Sequence, residues 1–172
     1  MGNFNKKDLF KRIFMMMPSI LLFISALNQL DLNYVNSAYF SFNFAHILIF
    51  YCSLRKNINI GYGLIFISGL INDVVVGIPL GLSSLIYLFI CIFATYLKNI
   101  TLRPNLIKDW FFFLGTILTV NSFGFIMLNY IFLYQIQYFD TLINIFFTFI
   151  FYIVFAYCFK FLEIKIIGKS NV

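Results

Sequence analysis

Long apolar stretches separated by short polar intervals dominate this sequence. A helix that crosses a membrane needs about 20 mostly apolar residues, and six stretches approach that length. They cover residues 13–30, 38–54, 58–76, 80–97, 110–133 and 141–162. The pattern predicts an all-α fold: a polytopic membrane protein with one integral membrane domain over residues 1–172, built as a six-helix transmembrane bundle.

The composition strengthens this prediction. Of the 172 residues, 62% are hydrophobic and only 10% are charged, and the mean hydropathy is +0.95. These values lie far outside the balance of a soluble domain. Six spans with short connections account for the whole length, so no room is left for a separate catalytic module.

The net charge of +6 is best interpreted as membrane topology. In the six-span arrangement all twelve basic residues lie on one side of the membrane, whereas Asp31 and Asp140 lie in loops on the other. The basic residues are Lys6, Lys7, Lys11, Arg12, Arg55, Lys56, Lys98, Arg103, Lys108, Lys160, Lys165 and Lys169. Because basic loops stay in the cytoplasm, both termini are predicted to be cytoplasmic, with Arg55 and Lys56 anchoring the second span there.

The most distinctive stretch is Gly69–Leu82, where an acid lies within an apolar run that ends in a Gly/Pro corner. Pro79 lacks an amide hydrogen and disfavours helical geometry in the residue before it. The third helix should therefore stop at Gly77, and a fourth should start near Leu80. Gly81 allows further backbone freedom, so the two helices are expected to form a tight hairpin.

Asp73 is the one acid within a predicted span close to this corner. An aspartate at the centre of a spanning helix costs about 2.5 to 3.5 kcal/mol on insertion scales, and less near an end. Gly69, Asp73 and Gly77 fall on one helix face, where another backbone can approach closely. Asp73 could bind a partner helix, a substrate or an ion, or it could bond to helix ends of its own bundle.

Other polar residues form shorter stripes that predict hydrogen bonds or close packing between helices. The stripes are Asn43, His46, Phe50 and Ser53 in the second span, Gly115, Thr119 and Ser122 in the fifth, and Asn144 and Thr148 in the sixth. Asp109 is predicted to cap the start of the fifth span, with Trp110 at the membrane interface.

The sequence contains no motif of a known enzyme class. A phosphate-binding glycine loop, a nucleophile elbow, a zinc-protease helix and a pair of deep acids are all missing. His46 is the only histidine and has no acid at helical spacing, so no metal or cofactor is predicted. The 25 Phe and 11 Tyr serve lipid contact and packing, and no nucleic acid partner is expected.

The corner resembles a signature of the bacterial rod shape-determining MreD family, G-L-x-x-D-x-x-x-G-x-P-L-G, which here spans Gly69–Gly81. Phe50–Lys56 is similar to the end of that family's second span, and Gly61–Leu64 to the start of its third. The resemblance covers about residues 47 to 97; outside them the agreement is in length and topology.

This resemblance implies a non-enzymatic, multi-pass protein of the bacterial inner membrane that belongs to the cell-wall elongation complex. It implies binding to MreC and, through MreC, to RodA, a penicillin-binding transpeptidase and MreB. Gly69, Asp73, Gly77, Pro79 and Gly81 are then a partner-binding or structural corner. MreD is also similar in fold to substrate-binding membrane subunits of vitamin transporters, so a transport subunit is the alternative.

Overall fold

The computed structural model describes residues 6–28, 42–55, 60–101, 105–133 and 137–167, with side chains from 16 to 27 in the first helix and up to 164 in the last. The helices are α1 (Lys6–Asn28), α2 (Phe44–Leu54), α3 (Tyr62–Val76), α4 (Leu82–Ile100), α5 (Leu106–Ile126) and α6 (Tyr138–Ile167). α5 continues into a π-helical turn, Met127–Ile131. The predicted all-α class is confirmed for the described residues.

Three helices are long and apolar enough to cross a membrane, namely Leu82–Ile100, Leu106–Ile131 and Tyr138–Ile164. Shorter apolar helices are Met16–Leu27, Phe44–Leu54 and Tyr62–Val76. At a rise of 1.5 Å per residue, α2 extends about 16 Å, which is half the thickness of a bilayer core. The fold is that of a membrane protein, and a count of six spans stays a prediction.

α2 lies at the centre of the bundle. Every residue from Phe44 to Cys52 is buried, and the helix packs against α4, α1 and α6. The other helices follow one another around it, in the order α1, α3, α4, α5, α6 and back to α1. The Phe50 ring lies 5.0 Å from that of Phe113 in α5 and 5.8 Å from that of Tyr152 in α6. The surrounding helices therefore shield α2 from lipid.

The helix directions follow from pairs of contacting side chains. α2 runs parallel to α4 because successive pairs advance along both helices: His46 with Tyr87, Ser53 with Cys91, and the Arg55 carbonyl with Lys98. It also runs parallel to α6, as two pairs show: Asn43 with Thr148, and Tyr51 with Glu163. α3 runs antiparallel to α4, because the two helices form a hairpin. α5 runs antiparallel to α6: Trp110 near the start of α5 contacts Phe149, whereas Phe125 near its end contacts Tyr138 at the start of α6.

These directions give the bundle two distinct ends. The basic end is formed by the C-terminal ends of α2, α4 and α6 and the start of α5. It carries four basic residues whose side chains the structure describes, Arg55, Lys98, Lys108 and Lys160. The opposite end, here called the corner end, carries the connection between α3 and α4 together with Leu133 and Tyr138.

Several helix ends differ from the predicted spans. α5 begins at Leu106 because Asn105 caps it: its side-chain oxygen accepts a hydrogen bond from the Ile107 amide at 3.1 Å. The predicted capping role of Asp109 is therefore wrong. α1 begins at Lys6, before the predicted residue 13, and α6 extends beyond 141–162 at both ends, since backbone hydrogen bonding continues where the apolar pattern has ended. Residues 38–41 of the second predicted span lie outside the described residues.

Candidate functional site

The corner between α3 and α4 is built by two glycines with left-handed backbone geometry. α3 ends at Val76, and Gly77 follows with φ of 76°. The amides of Gly77 and Ile78 both donate to the Asp73 carbonyl, at 2.9 and 3.1 Å. Gly81, with φ of 96°, precedes the first residue of α4. L side chains rarely adopt such positive φ values. The predicted helix stop at Gly77 is confirmed, and α4 starts two residues after Leu80.

Asp73 caps the start of α4 from the neighbouring helix. Its side chain is 0% exposed, and both carboxylate oxygens accept backbone hydrogen bonds. The Gly81 amide donates to Oδ2 at 2.7 Å, and the Ser83 amide donates to Oδ1 at 2.9 Å. These amides belong to the N-terminal turn of α4, where helical carbonyl partners are missing and negative charge is favoured. The carboxylate thus bonds to a helix end of its own bundle.

Gly69 brings the two helix backbones into direct contact. A Cβ at this position would overlap the backbone of Ser84 and lie 2.7 Å from its Oγ. The Ser84 hydroxyl donates to the Phe66 carbonyl at 2.9 Å, across the same contact. One turn further along α3, the Asn72 side chain donates to Ser83 Oγ at 3.0 Å. At Gly69 and Asp73 the face predicted from the sequence is therefore occupied by α4 of the same chain, whereas a Cβ at Gly77 would meet nothing within 4 Å.

The outer surface of the corner is apolar and unoccupied by other described residues. Four side chains form what we call the corner surface: Val74, Val75, Val76 and Leu80. Val74 is 69% exposed and Leu80 is 71% exposed, while Val75 and Val76 are also exposed. Pro79 is half-buried behind them. Of the signature residues, Leu80 belongs to this surface, whereas Asp73 is buried beneath it.

Ser83 and Ser84 complete the corner, and their roles were missed in the sequence. They follow Asp73 by ten and eleven residues, a separation that has no meaning on a single helix. Only the reversal of the chain at Gly77–Gly81 brings them back beside α3. The available signal was the pair of small polar residues directly after a predicted N-terminus, which is the usual composition of a helix start.

A second polar site lies at the basic end. The Arg55 guanidinium lies over the Tyr51 ring, 5.0 Å from its centroid. The Tyr51 hydroxyl donates to Glu163 Oε2 at 3.5 Å. The Lys98 ammonium donates to the Arg55 carbonyl at 3.2 Å. Arg55 thus lies at the meeting point of α2, α4 and α6, whereas Lys56, predicted as its companion anchor, lies outside the described residues.

Asp109 and Tyr152 extend this site into the bundle. Asp109 and Glu163 are each only 5% exposed, and Tyr152 is 1% exposed. The Tyr152 hydroxyl has no hydrogen-bond partner in the described structure. Arg55, Lys98, Asp109 and Glu163 come from four helices, so no local pattern in the sequence links them.

The predicted polar stripes have different outcomes. In α2 and α6 the prediction of contacts between helices is confirmed: Ser53 Oγ lies 3.2 Å from Cys91 Sγ, and the Asn43 amide donates to Thr148 Oγ1 at 2.9 Å. In α5 the prediction is wrong, because the stripe of Gly115, Thr119 and Ser122 is exposed on the outside of the bundle. The Thr119 hydroxyl bonds to the Gly115 carbonyl of its own helix at 3.0 Å.

His46 lies on the buried face of the central helix. Its ring is 5.7 Å from the Tyr87 ring, in an edge-to-face arrangement, and its Nδ1 has no hydrogen-bond partner in the described structure. Within the described ranges, no group of three or more His, Cys, Asp or Glu side chains could hold a metal ion. The described part of the interior therefore presents one isolated imidazole and no metal centre.

Comparison of the chain with protein-family models, with curated proteins and with solved structures found no match. The resemblance to MreD therefore depends on the residues of the corner signature and on the predicted topology alone. What the geometry adds is that these signature residues form one continuous structural unit.

Proposed function

We propose that this protein is a non-enzymatic scaffold of the bacterial cell-wall elongation complex, located in the inner membrane, where it binds MreC and supports peptidoglycan synthesis and rod shape. The corner carries this proposal. Four signature residues, Gly69, Asp73, Gly77 and Gly81, each have a structural task in the corner, and they support an exposed apolar surface. A rigid apolar surface with no free catalytic group suits protein binding.

The corner surface is the proposed docking site for MreC. Asp73 and Gly69 are fully occupied within the chain, so a partner would contact Val74, Val75, Val76 and Leu80. If the basic end is cytoplasmic, the corner faces the periplasmic side, where the segment next to the MreC membrane helix would pass. Apolar contact from that segment is the chemistry this surface accepts.

The test is a charge introduced at the corner surface. Leu80→Asp should reduce recovery of MreC in co-purification about tenfold, because a buried apolar anchor at an interface contributes on the order of 1 to 2 kcal/mol. The matched control is Leu133→Asp, since Leu133 is 81% exposed at the same end of the bundle. Cells that depend on the variant should lose rod shape with Leu80→Asp and keep it with Leu133→Asp. Equal MreC recovery from both variants would contradict the proposal.

The alternative function, a substrate-binding membrane subunit of a vitamin-type transporter, is favoured by one observation. His46 is buried on the central helix beside Tyr87, and its Nδ1 lacks a partner in the described structure. A buried polar atom without a partner is uncommon and suits a small ligand that supplies one. Saturable binding of a vitamin-sized molecule that His46→Phe abolishes would support this function, and its absence from a panel of vitamins would argue against it.

A further inference from the structure

The central helix α2 begins inside the bundle. The Asn43 amide donates to Thr148 Oγ1 at 2.9 Å, and Thr148 is the tenth residue after Tyr138, where α6 begins. At a rise of 1.5 Å per residue, the start of α2 lies about 15 Å from that end of α6. Residues 44–46, which form its first turn, are all buried. A helix end at this depth in a membrane protein has no bulk water to bond to its free amides.

The first turn of α2 has backbone donors without acceptors. The first four amides of an α-helix have no helical carbonyl to bond to, and here the first of them is that of Asn43. The Ile47 amide makes the first bond within the helix, to the Asn43 carbonyl at 3.4 Å. The Asn43 side chain makes no capping hydrogen bond. Within the described ranges, no group accepts from the amides of residues 44–46, and buried donors left in this way are rare and costly.

His46 adds a side-chain group to the same turn. In an α-helix each side chain leans toward the N-terminus, so the imidazole lies over the turn that starts at Asn43. Its ring meets the Tyr87 ring edge to face at 5.7 Å. The residue is 4% exposed, and its Nδ1 has no hydrogen-bond partner in the described structure. An imidazole protonated at Nδ1 donates one further hydrogen bond. Backbone and side chain thus suit a ligand that supplies acceptors.

The helix start favours negative charge on that ligand. A helix N-terminus carries a partial positive charge of about half an elementary charge, and its free amides bind anions. Helices that begin inside transporters hold substrate carboxylates in this way. The basic side chains that the structure describes lie at the basic end, away from this turn, so a doubly charged phosphate would lack a counter-charge. Asp73 is bonded to the start of α4, not of α2. A singly charged carboxylate fits best.

We propose that the start of α2 binds the carboxylate of a small organic acid. The carboxylate oxygens accept from the amides of residues 44–46, and the His46 imidazole donates a further hydrogen bond. This inference rests on the alternative function given above and names its substrate class, an acid rather than an amine or a neutral molecule. It is independent of MreC binding at the corner surface, which is formed by α3 and the connection to α4.

The experiment uses the only histidine of the chain as its probe. Histidine labelled with an NMR-active nitrogen isotope gives one backbone amide signal, that of His46, from the full-length protein in detergent micelles. Acetate and acetamide are alike in size and differ in charge. Acetate should shift the His46 amide signal saturably and bind at least about tenfold more tightly than acetamide, the equivalent of one charge-assisted hydrogen bond.

Two variants locate the bound acid. His46→Phe keeps an aromatic ring beside Tyr87 and should weaken acetate binding about tenfold, measured at the labelled amide of Ala45. Tyr152→Phe is the matched control, because it removes another buried side-chain atom that has no partner in the described structure. Acetate affinity in this control should equal that of the unaltered protein.

The inference is overturned if acetate produces no saturable shift, or if acetamide binds the unaltered protein equally well. Equal affinity for chloride would also overturn it, because the site would then accept any small anion. Failure of the transport function gives a different result: no vitamin of a panel binds while acetate still shifts the His46 signal. Saturable binding of a vitamin without a carboxylate, abolished by His46→Phe, would support transport and overturn the acid site.

Discussion

Removal of the Asp73 carboxylate should destabilise the bundle through the start of α4. In Asp73→Ala, the amides of Gly81 and Ser83 lose their acceptors, which lie at 2.7 and 2.9 Å. A hydrogen bond to a charged group contributes about 1.5 to 3 kcal/mol. Ser83 is buried, so its amide has no water to replace the carboxylate, whereas Gly81 is only half-buried. We expect the free energy of unfolding to fall by about 3 to 5 kcal/mol.

Asp73→Asn separates hydrogen bonding from side-chain size. The asparagine side chain keeps one acceptor oxygen, but its NH₂ group faces the second backbone N–H and cannot accept from it. The free energy of unfolding should therefore fall by roughly half as much as in Asp73→Ala, about 1.5 to 3 kcal/mol. The matched control is Asp140→Asn, because Asp140 is an exposed acid in the first turn of α6. Its effect should stay below about 1 kcal/mol.

Equilibrium unfolding by SDS in mixed micelles measures these differences, and amide hydrogen exchange at Gly81 and Ser83 locates them. Exchange at both amides should accelerate in Asp73→Ala, and at one of them in Asp73→Asn. If both variants unfold within about 0.5 kcal/mol of the unaltered protein, the carboxylate does not hold α4 and the reasoning is refuted.

Two further substitutions test close packing and capping. Gly69→Ala should lower the free energy of unfolding by about 2 kcal/mol or more, because its Cβ meets the Ser84 backbone. The control is Gly63→Ala, where a Cβ meets nothing within 4 Å, and it should raise the free energy of unfolding by about 0.5 to 1 kcal/mol. Equal effects of the two substitutions would be inconsistent with a close contact at Gly69. Thr148→Val removes the acceptor of the Asn43 amide and should cost about 1 to 3 kcal/mol by thermal unfolding; an unchanged melting temperature would show that this amide finds water instead.

The sequence predicted the corner well because its signals are local. Gly77 and Pro79 act through backbone geometry within a few residues, so the end of α3 follows from their order alone. The hydrogen-bond partners of Asp73 were less accessible, since Ser83 meets it only after the chain reverses. Of the two roles left open for this acid, the geometry favours contact with its own bundle.

The position of each helix in the bundle could not be predicted. In a membrane, lipid and protein interior are equally apolar, so hydrophobic residues do not mark the buried face of a helix. α2, completely surrounded, and α6, with one side exposed, therefore look alike in the sequence. The stripe of Gly115, Thr119 and Ser122 shows the same limitation, because small polar residues predict contact between helices and here lie on the outside.

The burial of Asp73 changes how a loss of function at the corner must be interpreted. If the corner surface binds MreC as proposed, Asp73→Leu should weaken that binding even without contact between the carboxylate and the partner, because the start of α4 would lose its cap. Substitutions at the exposed positions Val74 and Leu80 leave those hydrogen bonds in place. If a substitution at Leu80 reduces binding and leaves stability unchanged, Leu80 contacts the partner. If a substitution at Asp73 reduces binding and stability together, Asp73 acts by holding the corner in shape.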